Sequence, residues 1–185
     1  RSRGLGDVYK RQAMKLGGRM DAEEWSEVYR RLMHWHATLG ESGDRSMLEI
    51  LDNQHAEANQ QFVRFVEDHY EAWMTGMEQG PTLSHEVLPK WLPGALEGAQ
   101  GRPVFLVVID NLRWDQWRTI APTLRPKWNV VEETTYFSML PTATQYARNA
   151  LFAGMTPGDI ARIMPNLWIG DCLLYTSPSP RDRYI

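Results

Sequence analysis

Asp110 follows directly on VFLVVI (104–109), a continuous β-branched and apolar run. Such a run is the pattern of a strand covered on both faces in a parallel sheet, and α/β folds gather ligands and metals at the C-terminal ends of those strands. A carboxylate there is an anionic oxygen donor on a rigid element, suited to a hard or borderline divalent cation. The plainer alternative is that Asp110 caps the following helix or pairs with Arg113. Further along, LPTATQYARNALFAG (140–154) predicts a helix opening at Thr144. Unsatisfied backbone N–H groups and the positive end of the helix dipole meet at such a start. A hydroxyl placed there can be made nucleophilic by a neighbouring metal ion, and the same N–H groups can hold a phosphoryl oxygen. The plainer alternative is an ordinary threonine N-cap. Only Asp110 and Thr144 taken together favour the chemical interpretation.

Other side chains carry less. Arg113 and Arg148 have the fork that grips phosphate oxygens in pairs, but exposed arginines more often do nothing specific. Asp115 is read as solvated or arginine-paired ahead of a second site carboxylate. His34 and His36 are two apart on a predicted helix and point in nearly opposite directions, so they cannot share a metal. His55, His69 and His85 suit capping or packing, and Trp25, Trp73 and Trp91 lie on apolar faces as core rather than as a base-stacking platform. No G-x-G-x-x-G or G-x-x-x-x-G-K-[ST] loop follows the apolar run, which leaves a generic nucleotide-binding unit without support.

The elements that would position these residues fall into two parts. Trp25, Val28, Tyr29, Leu32, His36 and Leu39 recur at three- and four-residue steps, the period of one helical face, and Asp21 with Glu24 has the spacing of a capping box. Gly40 and the ESGD that follows break the pattern. Ser46 with Glu49 offers a second capping box before Leu48, Leu51, His55, Ala58, Phe62, Phe65, Val66 and Trp73, a run that Gly76 stops. A short connection makes these two helices pack antiparallel. Residues 81–98, with three prolines and two glycines, predict a short broken helix at a domain boundary. Beyond it, residues 112–120 predict a helix, 130–132 a second strand and 136–139 another extended piece. Residues 144–153 predict a helix closed by Gly154, and Thr156, Pro157 and Asp159 the cap of one more. Strand alternating with helix implies an α/β fold with a parallel sheet, preceded by an α-helical bundle connector.

With 43% hydrophobic and 11% aromatic residues, the 185-residue chain has enough apolar material for a packed core. No window approaches the ~18–20 apolar residues of a membrane span, and no secretion signal opens the chain, so a cytoplasmic protein is expected. The ends, RSRGLGDVYKRQ (1–12) and CLLYTSPSPRDRYI (172–185), read as translated sequencing adapter and are set aside. They hold six of the 20 basic and two of the 23 acidic residues, so the net charge of −3 becomes −7 for the remainder. An acidic segment argues against general affinity for nucleic acid or anionic membrane, while leaving room for a local phosphate site. The single cysteine, Cys172, lies in the set-aside tail and excludes disulfide frameworks and cysteine-rich zinc sites.

VFLVVIDNLRWDQW (104–117) followed by SMLPTATQYARNALFAG (138–154) resembles the opening of a PglZ domain, a branch of the alkaline phosphatase superfamily. DAEEWSEVYRRLMHWHATL, EANQQFVRFVEDHYEAW and LSHEVL resemble the connector of PorX-like response regulators of Bacteroidetes, so the resemblance spans nearly all of 13–171. It implies a helical connector over 13–98 and the N-terminal part of an alkaline-phosphatase-like parallel sheet over 99–171. By resemblance Asp110 is a metal ligand and Thr144 the nucleophile that also touches metal; Thr142 competes, but it precedes the predicted helix and P-T-x-T spacing favours the second threonine. The resemblance further implies zinc, two ions in the intact protein, and nucleotide or oligonucleotide phosphodiesters as substrates. It also implies an upstream receiver domain and a link to type IX secretion and gliding; a homodimer joined through the connector is a further expectation. The family's remaining Asp and His ligands lie further along its chains, so half a site is expected here, without hydrolysis by this chain alone. The competing expectation is a non-catalytic signalling module that uses the connector for dimerisation or docking.

Overall fold

A computed structural model describes residues 19–42 and 45–166; the set-aside ends and Cys172 lie outside the described residues. Helix α1 (Ala22–Ser42) starts on the expected capping box: the Glu24 N–H donates to Asp21 Oδ1 at 2.9 Å, and the Asp21 N–H to Glu24 Oε2 at 3.1 Å. These reciprocal bonds satisfy two amides that a helix start leaves without partners. α1 runs through Gly40, which does not break it. A mid-helix glycine costs only about 1 kcal/mol, and Leu39, 6% exposed, anchors this turn in the core.

Helix α2 (Arg45–Thr75) returns antiparallel to α1. Trp25, near the start of α1, meets Phe62 and Phe65 far along α2, with ring centroids 5.4 and 6.0 Å apart. Leu39, near the end of α1, meets Leu51 near the start of α2, flanked by Leu32, Trp35, Met47 and Leu48. Ser46 lies inside the first turn of α2 rather than capping it. Gly76 ends α2 as expected, at φ 71°, a left-handed conformation that favours glycine.

A 3₁₀ turn (Ser84–Glu86) leads into α3 (Val87–Ala99), longer than the broken helix expected and carrying Pro93 inside it. The remaining helices are α4 (Trp114–Leu124), α5 (Thr144–Ala153) and α6 (Pro157–Ile163). α5 occupies the expected span and ends on Gly154, φ 62°. α6 begins on Thr156, whose side chain accepts from the Asp159 N–H, with Pro157 next.

The parallel sheet of the expected α/β fold is not formed: among the described residues there is no strand, and residues 104–109 and 130–132 join no ladder. Phe105 and Val107 are 86% and 77% exposed. A strand takes its hydrogen bonds from neighbouring strands and its cover from helices on both faces, and the described residues supply no neighbouring strand. The extended piece 136–139 makes one isolated parallel bridge, Leu83 with Phe137. The described residues form two compact units. One holds those up to Pro81 together with Arg113–Val131, and the other Thr82–Leu112 together with those from Glu132 onward.

Candidate functional site: Asp110 and Thr144

Residues 109–112 make a tight turn in which the Leu112 N–H donates to the Ile109 carbonyl at 3.3 Å. Asn111 takes φ 58°, a left-handed conformation that asparagine tolerates better than most residues. Asp110 is thereby held in a turn. Thr144 is approached from a different anchor. Met139, 1% exposed, donates its N–H to the buried hydroxyl of Ser84 at 3.1 Å, while the Phe137 N–H donates to the Thr82 carbonyl at 2.9 Å. The chain then crosses a cis Leu140–Pro141 bond into α5. Buried Ala150 and Leu151 fix α5, and an added Cβ at Gly154 would sit 3.2 Å from the Pro89 ring. Nothing in the local periodicity singles out Ser84, since its value lies in a backbone partner 55 residues away.

The two anchors bring Thr144 Oγ1 to 3.5 Å from Asp110 Oδ1 and 3.4 Å from Oδ2. Ala143 is the N-cap, so Thr144 is the first helical residue and its hydroxyl turns to the carboxylate instead of capping. The separation exceeds the ~2.5–3.0 Å of a firm O–H···O bond. It matches the roughly 3.4 Å between two oxygens that each lie ~2.1 Å from one tetrahedral zinc. Carboxylate and hydroxyl oxygens also suit such an ion chemically. As a donor set the pair is short of the three or four protein ligands zinc takes. Among the described residues no group of three or more His, Cys, Asp or Glu is placed to hold a metal.

Arg113 is engaged elsewhere. Its Nε and Nη2 donate to the two oxygens of Asp115 at 3.0 and 2.9 Å, and these bonds hold the Asp115 carboxyl below the usual carboxylate range. Arg148 lies one turn beyond Thr144 on the same face of α5, half-buried. Thr142 is exposed, two residues before α5. Among the histidines, His69 contacts the Glu78 carboxylate at 2.8 and 3.0 Å and stacks on Trp73, while His36 lies 3.6 Å from Asp52.

Residues 6–74 match the family model of the PorX response regulator linker domain, and residues 90–178 that of the BREX system PglZ alkaline phosphatase-like domain. The chain carries a PorX-type linker followed by PglZ-type sequence. The α1–α2 hairpin lies in the linker match; Asp110 and Thr144 both lie in the PglZ match. Together the two matches fit a response-regulator-like protein with an alkaline phosphatase-like domain. Among curated proteins none matches the chain. No helix among the described residues is long and apolar enough to cross a membrane.

Proposed function

We propose that this chain belongs to a cytoplasmic two-component response regulator whose PglZ-type domain hydrolyses nucleotide or oligonucleotide phosphodiesters, in the control of type IX secretion and gliding. The observation that carries this reading is the 3.4–3.5 Å approach of Thr144 Oγ1 to the Asp110 carboxylate at the start of α5. Thr144 would attack phosphorus, forming a Thr–O–P bond as the ester oxygen leaves, and water would cleave that bond in a second step. Zinc, when bound, supplies positive charge to the nucleophilic oxygen and the phosphoryl oxygens. Asp110 and Thr144 would be two of its ligands, with other donors completing the set and a second ion in the intact protein. The first amides of α5, which have no intrahelical acceptor, suit a phosphoryl oxygen, and Arg148 is a second candidate for it. Arg113 would have to leave Asp115 before contributing.

Zinc titration by isothermal calorimetry, in a longer protein that carries the remaining ligands, tests the pair. Binding is expected to weaken at least tenfold in both Asp110→Asn and Thr144→Val, and unchanged affinity in both would remove the assignment. In a longer protein with its receiver domain, Thr144→Ala is expected to abolish hydrolysis of a phosphodiester such as bis-nitrophenyl phosphate. The second reading, a signalling module acting by docking or dimerisation, is favoured by the aromatic core that lets the α1–α2 hairpin pack on itself. It requires signalling to survive Thr144→Ala.

A further inference from the structure

Among the described residues Ser84, 1% exposed, is the buried polar residue. Buried polar groups are almost always hydrogen-bonded, and this one reaches across 55 residues: Ser84 Oγ accepts from the Met139 N–H at 3.1 Å. Beside it the Phe137 N–H donates to the Thr82 carbonyl at 2.9 Å, and Leu83 makes the parallel bridge with Phe137. The turn that does this is itself closed, because the Leu83 N–H donates to Glu86 Oε2 at 2.8 Å. Helix α5 opens five residues after Met139 and packs against the same turn. At the other end of α5, a Cβ added to Gly154 would sit 3.2 Å from Pro89 Cγ and 3.9 Å from the His85 carbonyl oxygen. One short segment, 82–89, therefore meets the chain before α5, the flank of α5 and its end.

All of these residues, and Asp110 with Thr144, belong to the same compact unit. Segment 82–89 nevertheless lies between the two family matches, outside both. We infer that it is the bracket that sets the Thr144 hydroxyl against Asp110, with Ser84 as its positioning residue. Met139 is pinned on one side of Thr144 and the body of α5 on the other, so the first turn of α5 has little freedom to slide. Such control matters for a nucleophile, since a misplacement of about 1 Å can cost on the order of 100-fold in rate. The inference rests on the hydrolytic reading for the meaning of that placement, but not for the placement itself.

The test uses the whole chain without metal, with Ser84→Ala, which removes one oxygen, compared with wild type by amide exchange and ¹H–¹⁵N spectra. The Met139 N–H loses its acceptor in a buried place, and its exchange is expected to rise roughly 10- to 100-fold. The Thr144 and Asp110 amide resonances are expected to shift, and the nuclear Overhauser effect between their side chains to weaken. Faster exchange at Met139 with Thr144 and Asp110 as in wild type would reduce Ser84 to simple packing and overturn the bracket. An unchanged Met139 amide would overturn it as well. Should Ser84→Ala unfold this unit, Gly154→Ala decides from the other end: it pushes α5 away from Pro89, and an unmoved Thr144 resonance would overturn the bracket. None of these readouts needs bound zinc or turnover, so a failed zinc titration rejects the hydrolytic reading and leaves the bracket judged on its own result.

Discussion

Gly80 lies against a tryptophan that a larger residue would have to move. A Cβ added there would sit 2.5 Å from Cγ of Trp73, 2.6 Å from Cδ1 and 3.0 Å from Cβ. Carbon atoms in contact normally stand ~3.5–4.0 Å apart, so Trp73 must retreat by about 1 Å. The atoms struck are the root of the side chain, tied to the α2 backbone, and not a tip that can swing away. The ring is also hemmed in, stacked on His69 with centroids 5.9 Å apart and against Phe65 at 5.4 Å. Overpacking of this kind costs about 1–3 kcal/mol, and with two aromatic contacts disturbed we place Gly80→Ala near 2 kcal/mol. The local reporters are the amides of Met77 and Glu78, which donate to the Ala72 carbonyl at 2.9 and 3.2 Å and close the end of α2. In native-state hydrogen exchange, 2 kcal/mol appears there as roughly 30-fold faster exchange. Gly94→Ala is the control of opposite sign. Nothing lies within 4 Å of its added Cβ in the middle of α3, and relief of the glycine penalty should stabilise α3 by about 0.5–1 kcal/mol. Unchanged exchange at Met77 and Glu78 in Gly80→Ala, with the Trp73 to His69 ring contact intact by nuclear Overhauser effects, would refute the steric reasoning.

The Arg113–Asp115 pair at the start of α4 should have a defined pH window. The Asp115 carboxyl lies below its unfolded value of ~3.9, so its contribution is complete above that pH and disappears as pH falls through the depressed native value; Tyr29, raised, contributes below its unfolded ~10 and loses this as pH rises through the raised native value. The Trp114 ring resonances should therefore hold between about pH 4 and pH 10, and a change centred well inside that window would refute this reading. Leu51, His55 and Asp115 line a cavity beside the pair. Thr156→Ala removes a hydroxyl that accepts from the Asp159 N–H at 3.2 Å and donates to Asp159 Oδ2 at 2.8 Å; α6 should lose about 1 kcal/mol by local exchange, and Thr156→Ser should keep most of it. Leu51→Ala empties a site 1% exposed beside that cavity, whose walls can partly relax, so urea unfolding of the hairpin should register about 2.5 kcal/mol, near the lower end of the leucine-to-alanine range.

What could be read from the sequence is what local chemistry dictates. The box of Asp21 with Glu24, the Gly76 and Gly154 stops, and the Thr156, Pro157 and Asp159 start each involve residues within one helical turn, and each stands where expected. Gly40 and Ser46 fail the same local logic because tertiary burial of Leu39 and Leu51 outweighs a glycine penalty and a cap preference. The run 104–109 departs from this local logic. Its β-branched pattern states a need for partners on two edges and two faces, and a sequence pattern cannot supply them; among the described residues the run stays exposed and unpaired.

The candidate site divides along the same line. Asp110 and Thr144 could be named from their places at the end of an apolar run and the start of a helix, because each place has its own electrostatic signature. The partner of Arg113 could not be chosen, since Asp110 and Asp115 are both within its reach along the chain. The structure chooses Asp115, whose two oxygens meet two guanidinium nitrogens at once, a geometry stronger than any single contact. The Asp110 carboxylate faces the Thr144 hydroxyl.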